Sequence, residues 1–119
     1  MFINFSNHPS SRWSQDQLQA AEAFGEIIDM MFPEVDPHQS EEEIKETAKT
    51  VVEEIVRHDP DFVMCQGEFC LSFAVATLLK EKGIRVGGAC SERLTEESVD
   101  PEGRTEKKSY FRFVRFREY

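Results

Sequence analysis

Short apolar runs alternate with segments of helical period along this chain, and that alternation limits the possible folds more than any other feature. "MFINF" opens as a strand. Ser14 and Gln17 have the spacing of a capping box, and Leu18, Ala21 and Phe24 share one helix face that Gly25 can close. "EIIDMMF" reads as a second, largely buried strand. Ser40 and Glu43 form another capping box, ahead of Ile44, Ala48, Val51, Val52 and Ile55 at helical spacing under an acidic outer face. "DFVMCQ" is a third strand. "EFCLSFAVATLLKEK" is apolar nearly all round, which predicts a helix buried between the sheet and a partner. "IRVGGAC" is a fourth strand, residues 91 to 108 are polar and loop-like, and "SYFRFVRF" is a fifth strand of strong β propensity. The order β-α-β-α-β-α-β-β predicts a three-layer α/β domain over residues 1–119, with a mainly parallel sheet. No helix separates the last two strands, so the final one is expected to run antiparallel at an edge.

The composition narrows the partners. The chain has 119 residues and a formal net charge of -9, which argues against binding duplex nucleic acid through a broad basic face. A small anionic ligand is still possible, because a few local donors can hold one against the global field. The charge is uneven: Arg104, Lys107, Lys108, Arg112, Arg115 and Arg117 crowd the C-terminal end. Three cysteines, Cys65, Cys70 and Cys90, give no disulfide framework. Neither a signal peptide nor a membrane-length apolar run is evident, so a cytoplasmic protein is expected. No cysteine or histidine pair has metal-ligand spacing, and no phosphate-loop or dinucleotide glycine motif occurs, so neither metal nor cofactor is expected.

In an open α/β sheet, ligands bind beyond the carboxyl ends of the strands. Three polar stretches are expected there: Ser6-Asn7-His8, Gln66-Gly67-Glu68 and Ser91-Glu92-Arg93. Gly67 could let the backbone approach a ligand, and the helix after it offers N–H groups to an anion. Ser6, Asn7, Ser10, Ser11 and Gln66 can hydrogen-bond phosphate or base edges. Arg93 can grip phosphate with a forked geometry. Trp13 could stack on a base. Each stretch also has a plain reading: a competent turn, a helix cap, a surface ion pair, a hydrophobic staple. Their shared position at the strand ends is what favours a site.

Together, "INFSNHPSSRWSQDQ", "DFVMCQGEFCLSFAVATLLKEKGI" and "ACSER…FVRFREY" resemble the small standalone CRISPR-associated proteins of the CARF (CRISPR-associated Rossmann fold) type. The likeness is to single-domain ring nucleases of type III CRISPR systems. It rests on Asn7-His8, on Gln66-Gly67-Glu68-Phe69, on Cys90-Ser91-Glu92-Arg93 and on the ending Phe111 to Tyr119. The resemblance implies a Rossmann-like homodimer that cradles cyclic oligoadenylate and cuts it without metal. The ribose 2′-hydroxyl attacks the adjacent phosphate and leaves a 2′,3′-cyclic phosphate end. Carried over by motif, Ser6, Asn7, His8, Gln66, Gly67 and Glu68 hold phosphates and bases. Arg93 stabilises charge on phosphorus, with Ser91 beside it. His8 is the candidate acid or base. Cys90-Ser91 departs from the paired threonines of the family, which touches turnover more than binding. Glu68 is negative at a proposed phosphate site, so it is expected to face ribose hydroxyls, an adenine amino group or Arg93. A non-catalytic sensor of the same ring, or an interaction protein without a nucleotide, are the alternatives.

Overall fold

A computed structural model describes residues 1–119. The strands are β1 (Phe2–Ser6), β2 (Ile27–Met31), β3 (Phe62–Gln66), β4 (Val86–Val99) and β5 (Thr105–Glu118). The helices are α1 (Gln15–Glu22), α2 (Glu41–Arg57) and α3 (Phe69–Glu81), with one short 3-10 turn at Ser10–Arg12. They form one five-stranded sheet in the order β2-β1-β3-β4-β5. All neighbours run parallel except β4 and β5, as the sequence predicts. The domain is therefore α/β and Rossmann-like. No helix is long and apolar enough to cross a membrane.

Two cores flank the sheet. Alternate residues of a strand point to opposite faces. Ile3, Phe5, Val63 and Cys65 meet Ile44, Ala48, Val52 and Ile55 of α2 and Leu71, Val75, Ala76 and Leu79 of α3. On the other face Phe2, Phe62 and Met64 meet Ala21 of α1, with Trp13, Phe24 and Phe116 packed against them. The caps are local and sequence-encoded. Ser40 and Glu43 make a complete capping box, whereas Ser14 accepts only from the Gln17 N–H. Gln17 turns its amide to the Met64 sulfur instead.

Two expectations need correction. The second strand is not largely buried: β2 is a sheet edge, and Met31 is 87% exposed. Residues 91 to 108 are not a loop. β4 continues to Val99, β5 begins at Thr105, and the pair runs in register from Gly87–Glu118 to Val99–Thr105 with one bulge at Cys90/Ser91. The outer part is a two-stranded arm, held by Arg112–Glu92, by Lys107–Glu97 at 3.5 Å and by the Tyr110 hydroxyl donating to Glu96 at 3.2 Å. It stretches the molecule to 58 Å and raises the radius of gyration to 17.5 Å. A compact chain of this length has about 13–14 Å. One stripe of α3 is buried against the sheet. Phe69 and Phe73 on its outer side are 89% and 76% exposed.

The two strands of the hairpin can approach because Gly87 has no side chain; a Cβ there would lie 2.1 Å from the Arg117 carbonyl oxygen. The C-terminus is tied down beside it. The Tyr119 N–H donates to the Val86 carbonyl at 3.0 Å, and its hydroxyl donates to the Cys65 carbonyl at 2.6 Å. Burial pushes the Tyr119 hydroxyl pKa up, so it stays a donor.

Candidate functional site

Two of the polar strand ends, after β1 and β3, meet on the α1 side of the sheet; the third stretch does not follow β4 but lies inside it, and only its Ser91 joins them. A cavity of about 440 Å³ opens there. The loop after β1 supplies His8, Arg12 and Trp13; α1 and its cap supply Ser14 and Gln17. Met64 and Gln66 come from β3, Ala89 and Ser91 from β4, and Phe111 and Phe113 from β5. A larger groove of about 840 Å³ runs along α3 between Phe69, Phe73, Ala76 and Tyr119. It shares no lining residue with the first cavity.

The loop after β1 is held chiefly through its backbone, which leaves the His8 ring and the Arg12 guanidinium free. Asn4 is a buried polar residue inside an apolar strand, 1% exposed. Its amide donates to the His8 carbonyl and to Asp29 Oδ1, each at 2.8 Å. The Ser6 hydroxyl donates to Asn4 Oδ1 at 2.6 Å and accepts from the His8 N–H at 3.1 Å. The Trp13 indole N–H also donates to the His8 carbonyl, at 3.2 Å. Asp29 on β2 accepts from the Ser10 N–H and hydroxyl. A buried polar group without a partner costs roughly 1–3 kcal/mol, so this network fixes the loop firmly. The His8 ring and the Arg12 guanidinium have no protein partner in it.

The turn after β3 behaves differently. Gln66 Oε1 accepts from the Ala89 N–H at 2.7 Å and ties β4 to β3 where the regular ladder ends. A Cβ on Gly67 would lie 2.5 Å from the Phe32 ring. The close approach at this glycine is therefore made by Phe32. Glu68 is the N-cap of α3, and its carboxylate accepts from the Cys70 and Leu71 N–H groups at 2.8 Å each. Those bonds, the one from Leu71 first, hold its pKa below the usual glutamate value. The helix N-terminus is thus filled by the chain's own carboxylate. Neither the open anion seat nor the ligand-facing Glu68 expected from the sequence is present in this geometry.

Of the predicted site residues, the structure brings His8, Trp13, Gln66 and Ser91 to the cavity wall. Ser6 lies buried beneath the loop. Asn7 and Ser11 are exposed and do not line the cavity. Trp13 is largely engaged: its ring stands edge-on to Phe2, with centroids 6.0 Å apart, and packs near Phe116. Arg93 lies on the arm, opposite Phe111, and its guanidinium donates to the Ser109 hydroxyl at 3.3 Å. It is outside the cavity. Arg12, Gln17, Phe111 and Phe113 line the wall although none of them is expected there from the sequence. Asn4 and Asp29 were missed too; a lone asparagine inside "FINF" was the available signal for the first.

Fold and cavity define a parallel α/β domain with a small, mixed polar and aromatic pocket at the carboxyl ends of its central strands. The chain belongs to the Uncharacterized protein MJ1673 family, whose model matches residues 1–117. No curated protein and no solved structure matches it.

Proposed function

We propose that the protein binds cyclic oligoadenylate, in particular cyclic tetraadenylate, and cuts it to linear products with 2′,3′-cyclic phosphate ends. In the cell this would switch off type III CRISPR antiviral signalling in the cytoplasm. The observation that carries the reading is the gathering of His8 from the loop after β1, Gln66 from the end of β3 and Ser91 from the bulge within β4 around one cavity. These are the positions on which the resemblance to ring nucleases rests. The chemistry asks for an aligned 2′-hydroxyl, a group to move its proton and donors for the charge on phosphorus. His8 is free for the second role. Ser91 and the Gln66 amide nitrogen supply donors. Arg93 would act from the arm, on a part of the ring that extends past the cavity.

The reading includes a homodimer. Two nearly bare phenylalanines, Phe69 and Phe73, beside the apolar groove of α3 support it, since exposed aromatic patches mark contact surfaces.

The test is incubation of purified protein with cyclic tetraadenylate and EDTA, followed by chromatography of the products. Linear 2′,3′-cyclic phosphate products are expected. An intact ring at enzyme excess overturns the enzymatic claim. In Arg93→Ala, cleavage is expected to be lost with the fold intact, because the side chain is exposed on the arm. Unchanged rates in that variant remove Arg93 from the mechanism. That Arg93 does not line the cavity favours one second reading, a sensor that retains the ring uncut; tight retention without products would select it.

A further inference from the structure

We infer that each copy seats one nucleoside phosphate unit in this cavity, with Arg12 holding the phosphate and Phe111 contacting the base. The inference deepens the reading above and rests on it for the identity of the nucleotide. Its grounds are three features of the wall.

The first is charge. The chain carries 23 acidic side chains against 14 basic ones, yet no carboxylate lines the cavity. Arg12 is its one arginine or lysine. The Arg12 guanidinium makes no ion pair and no side-chain hydrogen bond, while its neighbour Trp13 is tied to the His8 carbonyl. A free, forked cation in an acid-free pocket of an acidic protein is suited to a phosphate. The His8 ring shares the wall and can add a donor.

The second is the aromatic rim. Phe111 is 74% exposed although it lines the cavity, and Phe113 lies further in on the same strand. Each base has a π-face, and stacking on an aromatic side chain is worth about 1–3 kcal/mol. Trp13 is the less available ring, since Phe2 and Phe116 already flank it.

The third is size. Ligand pockets span roughly 300–1,000 Å³. At about 440 Å³ this one suits a single nucleotide, so a ring of four must extend beyond one copy.

Calorimetric titration of the intact protein with adenosine 5′-monophosphate, ribose 5-phosphate and cyclic tetraadenylate tests the inference. Wild type should bind the monophosphate more tightly than ribose 5-phosphate. Arg12→Ala should weaken the monophosphate and the ring by tenfold or more and flatten the salt dependence, with partial recovery in Arg12→Lys. Phe111→Ala should erase the preference for the monophosphate over ribose 5-phosphate. Both positions are exposed, and thermal melts confirm that the variants fold. Wild-type affinity in Arg12→Ala, or a retained preference in Phe111→Ala, overturns the inference. Binding of the monophosphate but not the ring sinks the functional reading and leaves this one standing. Ring binding indifferent to both variants does the reverse. No binding of any probe removes both.

Discussion

The loop that leaves β1 and the turn that leaves β3 sit side by side at the same edge of the sheet. In the first, the backbone does the fastening. The His8 carbonyl takes the Asn4 amide and the Trp13 indole, and Asp29 takes the backbone and hydroxyl of Ser10. In the second, the distinctive groups do the fastening. Gln66 holds Ala89, Gly67 makes room for Phe32, and Glu68 closes the end of α3. The difference shows how two polar turns of similar composition divide the labour. One is a frame that presents His8 and Arg12 to the cavity. The other is a joint that locks β3, β4 and α3 together and leaves little beyond one amide nitrogen for a ligand.

Cutting each fastening checks this division. Asn4→Ala should have the largest effect. It removes three hydrogen bonds of a buried side chain at once, from the Asn4 amide to the His8 carbonyl and to Asp29 and from the Ser6 hydroxyl to Asn4 Oδ1, for a loss of about 3 kcal/mol in urea denaturation. A loss below about 0.5 kcal/mol, typical of a surface change, would mean that the frame is not held as described. Gly67→Ala should come next. Its methyl collides with the Phe32 ring, and overpacking of this kind costs about 1–3 kcal/mol. Adding Phe32→Leu should recover part of that loss. If the double variant is no better than the sum of its parts, the clash is not the reason for the glycine.

The legible parts of this fold are those whose chemistry leaves a local mark. β1 and β3 lie in the middle of the sheet with both faces covered, so they appear as short apolar runs, interrupted in β1 by Asn4. The arm leaves no such mark. Its strands are wetted on both sides and held by cross-strand pairs such as Glu92–Arg112, so their sequence looks like a loop. The general rule for strand ends placed His8, Trp13 and Gln66 at the cavity, whereas Ser91 reaches it from inside β4. It could not say whether the space above Gly67 belongs to a ligand or to Phe32, because Phe32 arrives from 35 residues earlier in the chain. It also passed over Arg12, hidden in a turn that reads as a connector, and Phe111. Which face Phe111 shows depends on the bulge at Cys90/Ser91, and a bulge is not visible in the pattern.

The finest test of the division is at Glu68. If its carboxylate serves α3, removing the charge should show in stability and not in ligand affinity. Glu68→Gln should cost no more than about 1 kcal/mol at neutral pH, since the cap is exposed and screened by water. The dependence on pH has a definite sign. The Leu71 and Cys70 N–H groups lower the folded-state pKa of Glu68. Its contribution is therefore present above the unfolded glutamate value, near pH 4.3, and is lost as pH falls through the lower folded value. The gap between wild type and Glu68→Gln in thermal melting should be constant from about pH 6 to 8 and close on acidification below about pH 4. A gap that persists in acid would show that the charge is not what caps the helix. A large loss of nucleotide affinity without any loss of stability would move Glu68 from the joint to the ligand, and the contrast between the two turns would fall with it.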